Sequence, residues 1–96
     1  MLIERHPEAD EELEAAATYL EKLQTGLGGH FLDDFERTLA RIVVDPERWH
    51  TIRANNRKLN FRRFPYTIVY SFQAQTIYVK AVMHLHRRPF YWKDRA

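Results

Sequence analysis

The chain has 96 residues, enough for one domain with its own core, and its 45% hydrophobic and 29% charged residues describe an ordinary globule rather than a disordered chain. It contains no cysteine, which excludes a disulfide frame and a thiolate zinc site. The net charge of +2 hides an asymmetry: residues 1–45 carry eleven acids against four bases, and residues 46–96 carry two acids against eleven bases.

Such a dipole suggests an acidic partner for the second half, nucleic acid or an acidic protein. The competing reading is that the two halves neutralise each other once folded. No apolar run reaches the roughly 18 residues of a membrane helix, so no membrane partner is expected. The N-terminus lacks a signal-peptide pattern, and a cytoplasmic location is the expectation.

Leu2 and Ile3 start a short first strand, which ends before Pro7, a residue suited to the first turn of a helix. Glu8, Asp10, Glu11 and Glu12 crowd that turn, where the helix dipole favours negative charge. Ala9, Leu13, Ala16, Leu20 and Leu23 then form one apolar stripe, with Glu11, Glu14, Thr18 and Glu21 toward solvent. Gly26, Gly28 and Gly29 end this helix. Without a flanking Lys-Ser and a preceding strand they make a turn and not a phosphate loop. A second helix follows, with Phe31, Leu32, Phe35, Leu39, Ile42 and Val43 on one face, and it stops at Asp45-Pro46. The two helices make an αα-hairpin.

Residues 46–56 read as irregular, pinned by Trp49 and Ile52, with a turn at Asn55-Asn56. A second strand is expected from about Arg57 to Phe64, with Leu59 and Phe61 alternating against Lys58, Asn60 and Arg62, and it is broken by Pro65. The third strand, Tyr66 to Phe72, sets Tyr66, Ile68, Tyr70 and Phe72 against Thr67, Val69 and Ser71. A short hairpin at Gln73-Ala74-Gln75 leads to the fourth, Thr76 to His84, with Ile77, Val79, Ala81 and Met83 set against Tyr78, Lys80, Val82 and His84. The order β-α-α-β-β-β predicts an α+β fold, a small antiparallel sheet with the helical hairpin on one face. The uncovered face is expected to be shallow and basic, holding some of Lys58, Asn60, Arg62, Thr67 and Lys80. The end of the last strand delivers His84, His86, Arg87, Arg88 and Tyr91.

Several stretches together resemble the RelE/ParE superfamily of type II toxin–antitoxin toxins. They are Glu8-Ala9-Asp10-Glu11-Glu12-Leu13, Gly28-Gly29-His30-Phe31-Leu32 and Asp45-Pro46-Glu47-Arg48-Trp49. The strongest are Arg62-Arg63-Phe64-Pro65-Tyr66-Thr67-Ile68-Val69-Tyr70, Ala81-Val82-Met83-His84 and Arg87-Arg88-Pro89-Phe90-Tyr91-Trp92. The resemblance spans nearly the whole chain as a single domain, residues 1–96. It implies a plasmid-stabilisation-type toxin that inhibits growth and is neutralised by a cognate antitoxin, and no cofactor. Within the superfamily, ParE-like members poison DNA gyrase and RelE-like members cleave messenger RNA on the ribosome; a shared fold does not choose between them.

Metal-free RNA cleavage needs a proton acceptor, a proton donor and cations for the phosphate. By resemblance, Lys58 stands at one nuclease lysine position, Arg87 or Arg88 at the C-terminal arginine, and Tyr91 at the tyrosine. Asn60 and Thr67 occupy positions that are basic in active RelE-like nucleases. These departures favour the ParE-like reading, action by binding a target such as gyrase. The alternative is a RelE-like endoribonuclease, in which His84 and His86 form an acid–base pair if the strand persists. The same histidines lack a third metal ligand, Asp94 being the only nearby carboxylate, so no metal is expected. Arg62, Arg63, Lys80 and Trp92 complete the candidate target-binding set; strand alternation sends Arg62 and Arg63 to opposite faces, and Trp92 either stacks on a partner or packs the tail down. The expected antitoxin is an extended, acidic, amphipathic segment that folds on binding.

Overall fold

Pro7 separates β1 (Leu2–Arg5) from α1 (Pro7–Leu23), as the absent proline N–H requires; α2 (Leu27–Val44), β2 (His50–Thr51), β3 (Asn56–Asn60), β4 (Tyr66–Gln73) and β5 (Thr76–His84) follow. These elements are from a computed structural model that describes residues 1–95. The N-cap of α1 is His6, whose Nδ1 accepts the Glu8 N–H at 3.0 Å. The helix buries Ala9, Leu13 and Ala16. Leu23 of α1 and Leu32 of α2, both expected in the core, remain 62% and 40% exposed near the loop end of the hairpin. Glu21 stays on the solvent side but reaches forward, accepting the N–H groups of Gly26 (2.9 Å) and Gly28 (3.0 Å). It thereby caps α2, whose own N-cap, Gly26 at φ 92°, has no side chain to offer. A Cβ on Gly28 would stand 2.6 Å from the Ala17 carbonyl oxygen, so the helices approach there as closely as glycine allows.

The sheet order is β1-β5-β4-β3-β2. β3, β4 and β5 form the expected antiparallel meander, but β1 joins β5 in parallel, Leu2 opposite Thr76 and Arg5 opposite Val79. The sheet is therefore mixed and not wholly antiparallel, and the helical hairpin carries the chain from β1 at one edge across to β2 at the other. β2 adds a two-residue edge from the stretch expected to be irregular, pairing His50 with Lys58. The β4–β5 turn holds Ala74 and Gln75 at φ 50° and 57°, the two positive values of a type I′ hairpin.

Two expectations fail locally. β3 ends at Asn60 rather than near Phe64 because the buried Asp34 carboxylate of α2 takes the N–H groups of Arg62 (3.4 Å), Arg63 (2.8 Å) and Phe64 (3.2 Å) out of the ladder. In β5, Val69 pairs with Ala81 while Tyr70 pairs with Val79, which leaves Lys80 as a bulge. The extra residue flips the alternation. Val82 joins Ile77 and Val79 toward the helices, and Ala81 and Met83 turn to the other face.

The main core lies between hairpin and sheet, where Phe31, Phe35 and Ile42 of α2 meet Phe61, Ile68, Tyr70, Ile77 and Val79. The Tyr70 hydroxyl donates to the Pro46 carbonyl at 2.6 Å and Trp49 Nε1 to the Arg41 carbonyl at 3.3 Å, tying the α2–β3 connection down. On the opposite face Trp92 packs on Val69 and Ala81, flanked by Ile52, Met83 and Tyr91. The face expected to be open is thus roofed by the C-terminal tail.

Candidate functional site

β5 stops at His84, and the chain turns immediately. The Leu85 N–H donates to the Pro65 carbonyl (2.9 Å) and the Arg87 N–H to the His84 carbonyl (2.9 Å). The His86 N–H donates to His84 Nδ1 at 3.0 Å, so a neutral His84 carries its proton on Nε2. The two imidazoles lie 5.3 Å apart, and His84 also meets the Tyr66 ring edge-on at 5.1 Å. The two histidines are neighbours through this turn and not, as expected, through a continued strand.

Glu12 of α1 organises what stands beside it. Its carboxylate accepts both guanidinium arms of Arg95 (2.9 and 3.0 Å), the Val82 N–H (3.1 Å) and the Tyr91 hydroxyl (2.5 Å). Arg87 approaches the same carboxylate at 3.7 Å and lies 3.9 Å from the centre of the Tyr91 ring. The Val82 N–H is left without a partner strand at this point of β5, which is why a carboxylate from the helix can take it. Burial, then the hydrogen bond to Glu12 and its charge, push the Tyr91 hydroxyl well above the ordinary tyrosine range, against the opposing pull of Arg87 and Arg95. Tyr91 is accordingly a neutral hydrogen-bond donor at physiological pH, not a base. For Arg95, burial disfavours the charge, but its bonds and attraction to Glu12 outweigh that and raise its pKa. A cleft of about 290 Å³ opens here between α1 and the end of β5, lined by Glu12, Ala15, Tyr19, Tyr66, His84 and Arg87.

The structure thus brings together His84, His86, Arg87 and Tyr91. Arg88 is exposed next to them and makes no side-chain bond or ion pair among the described residues. Lys58 does not join them: it pairs with Val69, so it faces the tail side of the sheet, whereas His84 packs on Tyr66 toward the helix side. Thr67 is buried at 1% exposure with its hydroxyl unpartnered, and Asn60 is exposed at the end of β3. Lys80 is the bulge residue, its carbonyl accepting from Arg95 at 3.0 Å. Arg62 and Arg63 are both exposed in the turn held by Asp34, so strand alternation does not separate them as expected. Trp92, offered as a target contact, is only 2% exposed and is instead the centre of the second core. Among the described residues no group of three or more His, Asp or Glu side chains is placed to hold a metal ion.

Glu12 and Arg95 were the residues that sequence reasoning missed. The available signal was weak: Glu12 stands in an acidic run that the helix dipole already accounts for, and its partners lie about eighty positions away.

A family model for the ParE toxin of the type II toxin–antitoxin system parDE matches residues 3–89. No curated protein sequence matches the chain. Among solved structures, a chain of one described as the chromosomal ParDE TA system from P. aeruginosa superposes with a TM-score of 0.76 at 14% identity, covering 88% of this chain and 95% of that one. At that identity the likeness speaks for the fold alone. The family model spans nearly every element described above, from β1 to the turn after β5, and on that ground the chain belongs to the ParE toxin family of type II toxin–antitoxin systems.

Proposed function

We propose that the protein inhibits bacterial growth by binding a target such as DNA gyrase in the cytoplasm, through the end of the molecule formed by His84, His86, Arg87 and Arg88, and that a cognate antitoxin relieves the inhibition. The observation that carries this reading is the exposed Arg87–Arg88 pair, set on a turn whose backbone and neighbouring tail are fixed by hydrogen bonds. A guanidinium held over an aromatic ring, as Arg87 is over Tyr91, loses less conformational freedom on meeting a partner. Arg62, Arg63 and Lys80 extend the candidate contact set around the same sheet.

Action by binding is favoured over RNA cleavage by three features of the site. Lys58 faces away from His84, Asn60 and Thr67 supply no cation, and Tyr91 holds its proton tightly. The antitoxin segment is expected to be acidic and amphipathic. Exposed Tyr19, Leu23 and Leu32 on the hairpin offer it apolar seats beside the basic residues of the second half.

The test is biochemical. Purified protein incubated with DNA gyrase and relaxed plasmid should block supercoiling, and addition of the neighbouring gene's product should restore it. Codon-positioned cleavage of messenger RNA on purified ribosomes, with supercoiling unaffected, would replace this reading by the nuclease one.

A further inference from the structure

α2 presents Asp34, Arg37, Thr38 and Arg41 within two turns of one flank, and the Asp34 carboxylate draws the Arg62–Phe64 turn against that flank through its three N–H bonds. The result is a cavity of about 190 Å³ lined by Asp34, Arg37, Thr38, Arg41, Arg62 and Arg63. A fifth guanidinium stands close by: Arg48 lies 5.0 Å from the Trp49 ring centre and Arg41 lies 5.1 Å from it, so one indole orders both.

None of these five arginines makes an ion pair or a side-chain hydrogen bond among the described residues. The one carboxylate in the cavity wall is already committed to backbone N–H groups. Thr38 donates its hydroxyl to the Asp34 carbonyl at 2.7 Å and so supports the helix without neutralising anything. Burial, then repulsion from Arg62 and Arg48, lowers the Arg41 pKa against the pull of Asp34, the single carboxylate among these guanidiniums.

We infer that this cluster is a binding site for a phosphate group, either of a nucleic-acid backbone or of a small free phosphate. The guanidiniums converge from α2, from the loop after it and from the β3–β4 turn. A tetrahedral phosphate presents oxygens in several directions and can meet several forks at once, whereas the two coplanar oxygens of a carboxylate fill one. The cavity holds one such group, and its rim residues Arg37, Arg62 and Arg63 are exposed, so a polymer can cross it. The site is on the α2 flank and shares no lining residue with the α1 cleft at Arg87.

The experiment uses the full chain, titrated calorimetrically with inorganic pyrophosphate and with a mixed-sequence single-stranded DNA dodecamer at several salt concentrations. Arg37→Ala with Arg63→Ala, both at exposed positions, should weaken binding of whichever probe binds by about tenfold or more and reduce the salt slope for the single-stranded DNA by about 1.4. Arg37→Lys with Arg63→Lys keeps the charge but not the forks and should still lose several-fold. Lys93→Ala, an exposed cation elsewhere, should bind as the parent does. Binding of pyrophosphate alone assigns a small phosphate, and binding of DNA that pyrophosphate displaces assigns the backbone. Undiminished binding in the alanine pair, or a lysine pair equal to the parent, would overturn the site. So would tighter binding of a decaglutamate peptide than of the dodecamer. Arg87→Ala with Arg88→Ala should leave all of these titrations unchanged, which separates failure here from failure of the toxin reading.

Discussion

Replacing Glu12 by Gln removes one charge from the place where the tail is most closely fastened to α1 among the described residues. The Glu12 and Arg95 side chains are 14% and 10% exposed, so Arg95 would be left largely buried with only the exposed Glu8, at 3.7 Å, as a carboxylate partner. Breaking a buried pair on one side costs about 3–5 kcal/mol. The glutamine oxygen still accepts the Val82 N–H, and the pair is not wholly dry, which places E12Q at roughly 2–3 kcal/mol. A domain of this size loses about 4–8 °C in Tm per kcal/mol, so the melt should fall by roughly 10–20 °C. The assay is thermal unfolding followed by tryptophan fluorescence, because Trp92 is in the layer that the latch secures. Limited trypsin digestion gives a second readout: cleavage after Arg87 should accelerate in the variant. A melt within about 2 °C of the parent, with unchanged cleavage, would refute the idea that Glu12 holds the tail.

Other perturbations test other joints. Asp34→Ala should cost about 3 kcal/mol in urea unfolding, since it strands the N–H groups of Arg63 and Phe64 in a part-buried turn. Gly28→Ala should destabilise by about 1–3 kcal/mol, because its Cβ meets the Ala17 carbonyl oxygen, whereas Gly29→Ala, with nothing within 4 Å, should stabilise by up to about 1 kcal/mol through helix propensity. Burial raises the Tyr70 pKa from 10 to about 12, with Arg57 pulling the other way. The folded state thus holds a proton that the unfolded state releases, so stability is fully present below pH 10 and falls as pH rises toward 12. Tyr70→Phe should flatten that alkaline decline while costing about 1 kcal/mol at neutral pH for the lost bond to the Pro46 carbonyl.

Much of the fold is legible in the sequence because local signals and global packing agree. Pro7, the glycine cluster, Asp45-Pro46 and Pro65 punctuate the chain where elements begin or end, and the apolar periods of β4 and, Leu32 apart, of α2 match the faces they bury. What is not legible depends on partners distant in sequence. A bulge at Lys80 leaves no local signature, yet it inverts the face of every later residue in β5. β1 finds β5 some seventy positions away, which makes the sheet mixed. Asp34 ends β3 from another element, and Glu12 turns an apparently free basic tail into a fastened one. The candidate site was half legible. His84, His86, Arg87 and Tyr91 do converge, but Lys58 is on the opposite face and Trp92 is core.

Induction of the Arg87→Ala, Arg88→Ala double variant in living cells measures most directly whether this end of the molecule meets the target. Folding is verified by an unchanged thermal melt and expression is matched to the parent. Growth should continue where the parent arrests it. Arrest of growth as complete as the parent's, from a folded variant at equal level, would contradict the assignment of the Arg87–Arg88 turn as the contact surface.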